Sequence, residues 1–276
     1  MAVNLVTKYA SKIEPRFTLE SLVWGKGTAK YDWDGAKTIK SITPTPVALS
    51  NYDPNDVTGS RFGALTELQD VENIYTVEQD KAFNIAIDKG NNKSQLNLKG
   101  AGEMMKMEVD EIIVPEMDKY ALGQYASTTG IGKVVQASIT KSNIVQAITD
   151  CLVTCRNAKA PAKGYVVWMK MTDFGKLLNA PEFLSLEKLG TKAVGKGEAG
   201  EVNGVKVIPV PDSYMPSGTN FIVAHPSVLM PVEKIKTLRI LTENPDIDGA
   251  NLQGRIMFDA FVLKQRVGGV CACKTA

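Results

Sequence analysis

The sequence contains few of the side chains on which enzyme and metal sites most often depend. It has one histidine, His225, which lies between Ala224 and Pro226. Imidazole is the most frequent general acid or base and a common metal ligand. Because this single histidine directly precedes a proline, we predict that it is a turn or core residue with no catalytic role.

The four cysteines form two close pairs, Cys151 with Cys155 and Cys271 with Cys273. Positions i and i+4 share one face of a helix, and positions i and i+2 share one face of a strand. Four thiolates would therefore surround a zinc ion if these two faces met. However, these spacings are not those of the usual zinc knuckles, and cysteine is among the most buried residue types. We predict buried free thiols, with no metal and no disulfide.

The chain also lacks long apolar runs and an excess of charge of one sign. Its longest apolar runs, such as Tyr165–Met169, have about five residues, whereas a membrane-spanning helix needs about 20. The N-terminus has no secretion-signal pattern. The 32 basic and 30 acidic residues give a net charge of +2, which predicts no strong attraction to nucleic acid or membrane. We expect a soluble protein that has no membrane partner and stays where it is made.

One sequence motif matches a cofactor-binding pattern, but its surroundings do not fit. Residues Gly195–Gly200 read G-x-G-x-x-G, which binds a dinucleotide only where a strand precedes it and a helix follows. Here a predicted helix precedes the motif, and the strand-like segment Val205–Val210 follows it. The P-loop, G-x-S-x-G and H-E-x-x-H motifs are also missing from the sequence. We predict that the chain is not an enzyme, with no catalytic residue, no cofactor-binding residue, no metal and no cofactor.

What the chain does contain is ample apolar material and strong strand patterns. With 276 residues and 44% hydrophobic content, it can form one large domain or two small ones. Residues 34–49 and 72–88 both alternate with a period of two, and the turn-rich segment 50–60 lies between them. This pattern predicts an extended β-hairpin. A two-stranded ribbon is marginal alone, so we expect it to dock on a neighbouring chain.

A long helix is predicted from Gln95 to Ser127, because apolar residues recur there at spacings of three and four. Pro115 must kink or restart it near Val114. Four acidic side chains lie mostly off the apolar stripe and are expected on a solvated or subunit-facing surface. These are Asp110, Glu111, Glu116 and Asp118.

The rest of the chain predicts a mixed α+β architecture. A second helix is expected from Thr140 to Asn157, capped by Ser142 or Thr140. A short buried strand follows at Tyr165–Met171, and Thr172 is expected to cap the next helix. From Val205 onward the sequence is mostly strand-like, with a last β unit from Leu252 to Cys273.

Several segments resemble a known family. The resemblance lies in residues Met1–Phe17, Tyr31–Ile39, Phe83–Asn92 and Val109–Tyr120. These segments are similar to the major capsid protein of tailed bacteriophages, with the Hong Kong 97-type fold, in a variant familiar from phages of Gram-positive bacteria. They cover most of the first 120 residues, and the C-terminal half resembles the family in layout more than in motif.

The resemblance implies a division of the chain into five parts. The N-terminal arm would cover 1–30 and the extended β-hairpin loop 31–93. The peripheral domain with its spine helix would cover 94–129, and the axial domain 130–230. The return strands of the peripheral domain would cover 231–276.

The resemblance also implies a function. Copies of the chain would self-assemble, as hexamers and pentamers, into the icosahedral shell of a virion that encloses double-stranded DNA. Other implied partners are a portal protein, a possible decoration protein and a separate scaffolding protein, because the sequence begins directly at the arm unless it is a mature form. Contacts with packaged DNA would be non-specific, through scattered Lys and Arg. Assembly is expected in the cytoplasm of the host bacterium.

Some members of this family link their subunits covalently, through an isopeptide bond between a loop lysine and an asparagine. The predicted hairpin has no lysine between Lys40 and Lys81, and Arg61 is its only cation there. A guanidinium stays protonated and is no nucleophile, so we expect a non-covalent shell. Two alternatives stay open: an encapsulin-type compartment shell, against which Pro15 in the weakly periodic N-terminal segment argues, and an enzyme with an unrecognised site.

Overall fold

The computed structural model describes residues 21–27, 37–55, 59–94, 100–181, 201–202, 204–242 and 247–275. Contacts divide the chain into a unit from Asp32 to Val77 and a second unit formed by the remainder. Both helices and strands are present, as the predicted α+β class requires. None of the described helices is long and apolar enough to cross a membrane.

The smaller unit contains an antiparallel pair of strands, β1 (Thr38–Thr45) and β2 (Gln69–Thr76). The register runs from Thr38 opposite Thr76 to Thr45 opposite Gln69. The hydroxyl groups of Thr38 and Thr76 lie 3.1 Å apart across the first pair. We refer to this unit, 32–77, as the hairpin unit.

The predicted second strand of the hairpin, residues 72–88, is in fact two strands. The first, β2, ends at Thr76, and β3 (Gln79–Asp88) begins after two further residues and pairs with a different strand, β10 (Gly249–Val262). The helix α1 (Lys89–Ser94) follows it. The prediction of one strand over 72–88 was therefore wrong, because alternation reports which face a residue occupies and not which strand it pairs with.

A three-stranded antiparallel sheet has the order β3, β10, β9, where β9 is Leu229–Leu241. Leu252, Ile256 and Phe258 point to one side of β10 and are buried. They pack against the apolar side chains Met105 and Met117 of the long helical segment.

The long helical segment is continuous from Ala101 to Ser127 but changes its winding in the middle. It consists of α2 (Ala101–Glu108), a π-helical turn (Val109–Ile113) and α3 (Val114–Ser127). The Val114 N–H bonds to the Val109 carbonyl, five residues back. Pro115 has no N–H and would clash with a regular helical turn before it, which explains the wider turn. The predicted interruption near Val114 is confirmed.

A second sheet has six strands in the order β4, β11, β8, β5, β7, β6. Their bounds are β4 Gly132–Gln136, β5 Val166–Lys170, β6 Glu201–Val202, β7 Val205–Val210, β8 Thr219–Ala224 and β11 Val270–Thr275. The remaining helices are α4 (Ile144–Asn157), α5 (Met171–Leu178) and 3-10 turns at Trp24–Lys26, Asp212–Tyr214, Pro226–Val228 and Lys264–Gly269.

The central strands β11, β8 and β5 of this sheet are buried on both faces. Along β5, Trp168 joins the cluster that contains Leu122 and Tyr125 of α3. Its neighbours Val167 and Met169 join the cluster that contains residues of α4 and α5. Because both faces are covered, such a strand reads as a continuous apolar run, as Tyr165–Met169 does in the sequence.

Strand β11 lies within the predicted return strands, 231–276, and pairs with β4 and β8 in the six-stranded sheet. The predicted caps of α4 and α5 were wrong. The hydroxyls of Thr140 and Ser142 lie 3.2 Å from each other, in a turn before α4, and make no cap bond to it. Thr172 lies inside α5 and bonds to Asp212.

Candidate assembly surface

The hairpin unit exposes an unusual number of large apolar side chains. Leu49 and Leu65 lie between β1 and β2 and are 102% and 103% exposed. The other large apolar residues exposed in this unit are Ile42, Val47, Tyr52, Phe62, Leu68, Val71 and Ile74. Contiguous exposed apolar surface on a folded protein typically marks an interaction site.

Local contacts connect the two sides of the segment between β1 and β2. The Tyr52 and Phe62 rings meet edge to face, with centroids 5.1 Å apart. The Ser50 hydroxyl donates to the Phe62 carbonyl at 2.6 Å. The Asp53 N–H donates to the Arg61 carbonyl at 3.1 Å. The apolar side chains are thus presented by a segment with its own hydrogen bonds, which lowers the entropy cost of docking on a partner.

Two buried carboxylates of the larger unit accept hydrogen bonds from the backbone of segments that are distant in the sequence. Asp118 on α3 is 1% exposed. Its Oδ1 accepts from the Ser21 hydroxyl at 2.8 Å, and its Oδ2 accepts from the Leu22 N–H at 2.7 Å. The Trp24 N–H also donates to Oδ1, at 3.3 Å. We call residues Ser21–Trp24 the arm root, since they lie near the C-terminal end of the predicted arm, 1–30.

The arm root is also packed by apolar contacts. Val23 is buried in the cluster of the six-stranded sheet. The Trp168 indole N–H donates to the Leu22 carbonyl at 3.1 Å. The Trp24 ring meets Phe258 edge to face, with centroids 5.7 Å apart. Apolar burial and the bonds to Asp118 therefore fix this short segment together.

The second buried carboxylate, Asp259 on β10, is 3% exposed. Its Oδ2 accepts from the Glu78 N–H at 3.0 Å, and its Oδ1 accepts from the Tyr120 hydroxyl, also at 3.0 Å. The Ala260 N–H adds a bond of 2.7 Å to Oδ1. Glu78 is the first residue after the hairpin unit, so Asp259 holds the backbone directly at its root.

Burial raises the pKa of both carboxyls above the ordinary value for aspartate, although their hydrogen bonds act in the opposite direction. Burial and the nearby Asp259 charge also raise the pKa of Tyr120 to about 12. Removing a charged group from water disfavours its charged form, which is the dominant cause in each case.

The other acidic residues of the long helix lie where the sequence predicted. Asp110 and Glu111 are partly exposed, and Glu116 is exposed. Asp118 was predicted on the same surface, and this was wrong. It is covered by the arm root, from about a hundred residues away in the sequence. No local pattern reports a partner at that distance, and sequence reasoning missed Asp259 for the same reason.

The cysteines and the histidine have structural surroundings. All four thiols are buried, as predicted. Cys271 contacts both Cys151 and Cys155, so the helix face and the strand face do meet. No cluster suited to a metal ion occurs among the described residues. His225 accepts from the Ser227 N–H and meets the Tyr165 ring, in a turn as predicted. The motif Gly195–Gly200 lies outside the described residues.

Comparisons with known proteins identify the fold. No protein-family model matches the sequence, and no curated protein matches it. Solved structures do match. One of Mycobacterium phage Che8 has a TM-score of 0.78 and 15% identity, over 99% of this chain and 98% of that chain. The capsid of cyanophage P-SCSP1u has a TM-score of 0.76 and 12% identity, with coverage of 99% and 93%.

A virus-like particle from Pyrococcus furiosus is also similar, with a TM-score of 0.59, 12% identity and 92% coverage of each chain. The likeness to phage structures is therefore the stronger one. This chain has the fold of tailed-phage capsid proteins over nearly its whole length, and the α+β capsid fold predicted from the sequence is confirmed.

Proposed function

We propose that this chain is the major capsid protein of a tailed bacteriophage, and that it self-assembles into the icosahedral shell around double-stranded DNA. The observation that carries the proposal is the likeness to the cyanophage capsid over 99% of the chain. A hairpin unit with large exposed apolar side chains supports it, because such a surface needs a neighbour. The role is structural, with no enzymatic activity.

The partners of the chain are chiefly copies of itself, arranged as hexamers and pentamers. The predicted arm, hairpin unit and axial domain each contribute contacts. A portal protein and a separate scaffolding protein complete the particle, and a decoration protein is a further candidate partner. Packaged DNA is contacted without base reading, through scattered Lys and Arg. The location is the virion, after assembly in the cytoplasm of the host bacterium.

The shell is held together without covalent links between subunits. Between Lys40 and Lys81 the only cation is Arg61, which cannot supply the amine for an isopeptide bond. Lys40 itself pairs with Glu72 at 2.8 Å. A denaturing gel of mature particles should therefore show one band at the mass of the monomer. A ladder of covalent multimers would contradict this part of the proposal.

Analytical ultracentrifugation of the purified chain tests the proposal as a whole. A capsid protein should sediment partly as pentamers, hexamers or much larger particles, with the share of large species increasing with concentration. A chain that stays monomeric at all concentrations, also after addition of a scaffolding protein encoded nearby, would refute it.

An encapsulin-type compartment shell is the second candidate, and the likeness to the Pyrococcus furiosus particle favours it. Genes encoding a portal and a terminase beside this one would support the phage assignment, whereas a neighbouring cargo enzyme would support the compartment. An enzyme that uses the glycine-rich segment is a more distant candidate. Loss of nucleotide binding on Gly197→Ala substitution would support that one.

A further inference from the structure

Asp118 and Asp259 share a combination of features that a purely structural carboxylate does not need. Both are almost completely buried. Neither forms an ion pair with any described residue, and each accepts hydrogen bonds from backbone N–H groups and one hydroxyl. An ionised group without a countercharge is costly to bury. Taking up a proton is the simplest way for such a site to become neutral.

We propose that Asp118 and Asp259 form a pair of proton-linked anchors, in which proton uptake by each carboxyl strengthens its hold on a segment root. Asp118 anchors the arm root, Ser21–Trp24, and Asp259 anchors Glu78 at the root of the hairpin unit. The inference concerns the chain itself and does not require that it form a shell. In a shell, these anchors would make the attachment of the arm and of the hairpin unit, the two segments that reach neighbouring subunits, depend on pH.

Each site can accept a proton without leaving a polar group unpaired. The Ser21 hydroxyl now donates to Asp118 and accepts from the Trp24 N–H at 3.0 Å. By rotating, it can accept from a protonated Asp118. The Tyr120 hydroxyl can turn in the same way at Asp259, because the side chains of Gln79 and Gln124 also contact it. Hydroxyls are the only side-chain groups that can exchange the two roles so easily.

The groups that face the two carboxyls are acidic, so they add no compensating charge. Tyr125 and Tyr214 interact electrostatically with Asp118, the former from α3 and the latter from the 3-10 turn at Asp212–Tyr214. Glu78 interacts with Asp259 from the start of β3, and Tyr120 from α3. Each of these groups is either neutral or negative near neutral pH. None of them carries a positive charge, and only the Tyr120 hydroxyl, which donates to Asp259, favours an ionised aspartate.

The direction of the pH effect follows from linkage. In the anchored state the pKa of each carboxyl is raised, chiefly by burial. In a released state the carboxyl regains water, and its pKa returns to about 3.9. The anchored state therefore binds protons more tightly. Anchoring strengthens as the pH falls through the raised pKa, and it weakens as the pH rises above that value.

Hydrogen exchange of the backbone amides tests the proposal directly, because the N–H groups of Leu22, Trp24 and Glu78 donate to the two carboxyls. The full-length chain is followed by mass spectrometry from about pH 8 down to about pH 4, close to the ordinary aspartate pKa, with rates corrected for intrinsic exchange. We expect protection of both roots to increase as the pH falls, by at most about tenfold per pH unit for one linked proton. Constant or decreasing protection would overturn the proposal.

Two single variants serve as controls for each other. Asp118→Asn should remove the pH dependence at the arm root and leave it at Glu78, and Asp259→Asn should do the reverse. Unchanged pH dependence in both variants would refute the assignment.

If either variant fails to fold, the wild-type protein alone still decides the matter. Carbon-13 NMR of aspartate-labelled protein reports the titration of individual side-chain carboxyls. Two carboxyls that titrate above the ordinary aspartate range are expected. A spectrum in which every aspartate titrates at or below about pH 4 would overturn the proposal.

Discussion

The double substitution Leu49→Ala and Leu65→Ala should weaken assembly strongly and leave the subunit folded. Both side chains are fully exposed in the single chain, so their truncation should change the free energy of unfolding by less than about 0.5 kcal/mol. At an interface, each substitution removes about two methylene equivalents of buried surface or more, at about 0.8 kcal/mol each. The pair then costs about 3 to 5 kcal/mol for each docked hairpin unit.

Because about 1.4 kcal/mol corresponds to a factor of ten, this loss raises the concentration needed for assembly by roughly two to four orders of magnitude. Sedimentation over a range of protein concentrations measures that threshold, and a thermal melt of the unassembled subunit checks the fold. Thr66→Ala is the matched control, because Thr66 is exposed beside Leu65 and has little apolar surface to bury. An unchanged threshold in the double variant would refute the role given to this surface.

Two further predictions concern the interior. Gly254→Val should lower the melting temperature by an amount that corresponds to about 1 to 3 kcal/mol or more, because an added Cβ would lie 2.0 Å from Phe83 Cε1. Gly123→Ala should leave the melting temperature unchanged, because there is open space around the new Cβ. Equal melting temperatures for the two variants would contradict this packing. The four cysteine thiols should resist a thiol-specific reagent in the native protein at neutral pH and react after denaturation. The reason is that they are buried, and burial raises the pKa of Cys273 to about 12. Rapid labelling of the native chain would contradict this prediction.

Periodicity predicted most of the elements correctly, because burial on one face leaves a direct trace in the sequence. The stripe of Ile144, Ile148, Cys151 and Cys155 is buried along α4, as expected. The continuous apolar run at Tyr165–Met169 contains most of β5, a strand covered on both faces. These features depend on neighbours within a few positions, and a single sequence contains that information.

Pairing partners could not be read in the same way. Residues 72–88 alternate almost without interruption, yet β2 and β3 belong to different sheets. The change of partner takes place at Val77 and Glu78, where neither proline nor glycine marks it. Likewise, nothing in the local pattern of β11 says that it lies between β4 and β8. Such pairings are decided by contacts between distant parts of the chain.

The buried carboxylates show the same limit at the level of single residues. Asp118 lies off the apolar stripe of the long helix, and an aspartate there is normally solvated. It is buried because the arm root covers it and satisfies its oxygens with hydrogen bonds. Asp259 interrupts a strand between Phe258 and Ala260, and only the structure reveals that it holds Glu78. A charged residue within an apolar pattern is the one available signal, and it does not identify the partner.

Electron microscopy of the purified chain tests the central proposal most directly. A major capsid protein should form closed shells, tubes or sheets of hexamers, alone or after addition of its scaffolding protein. A uniform population of monomers or small dimers under both conditions would contradict the assignment, and the likeness to phage capsids would then report the fold without the function.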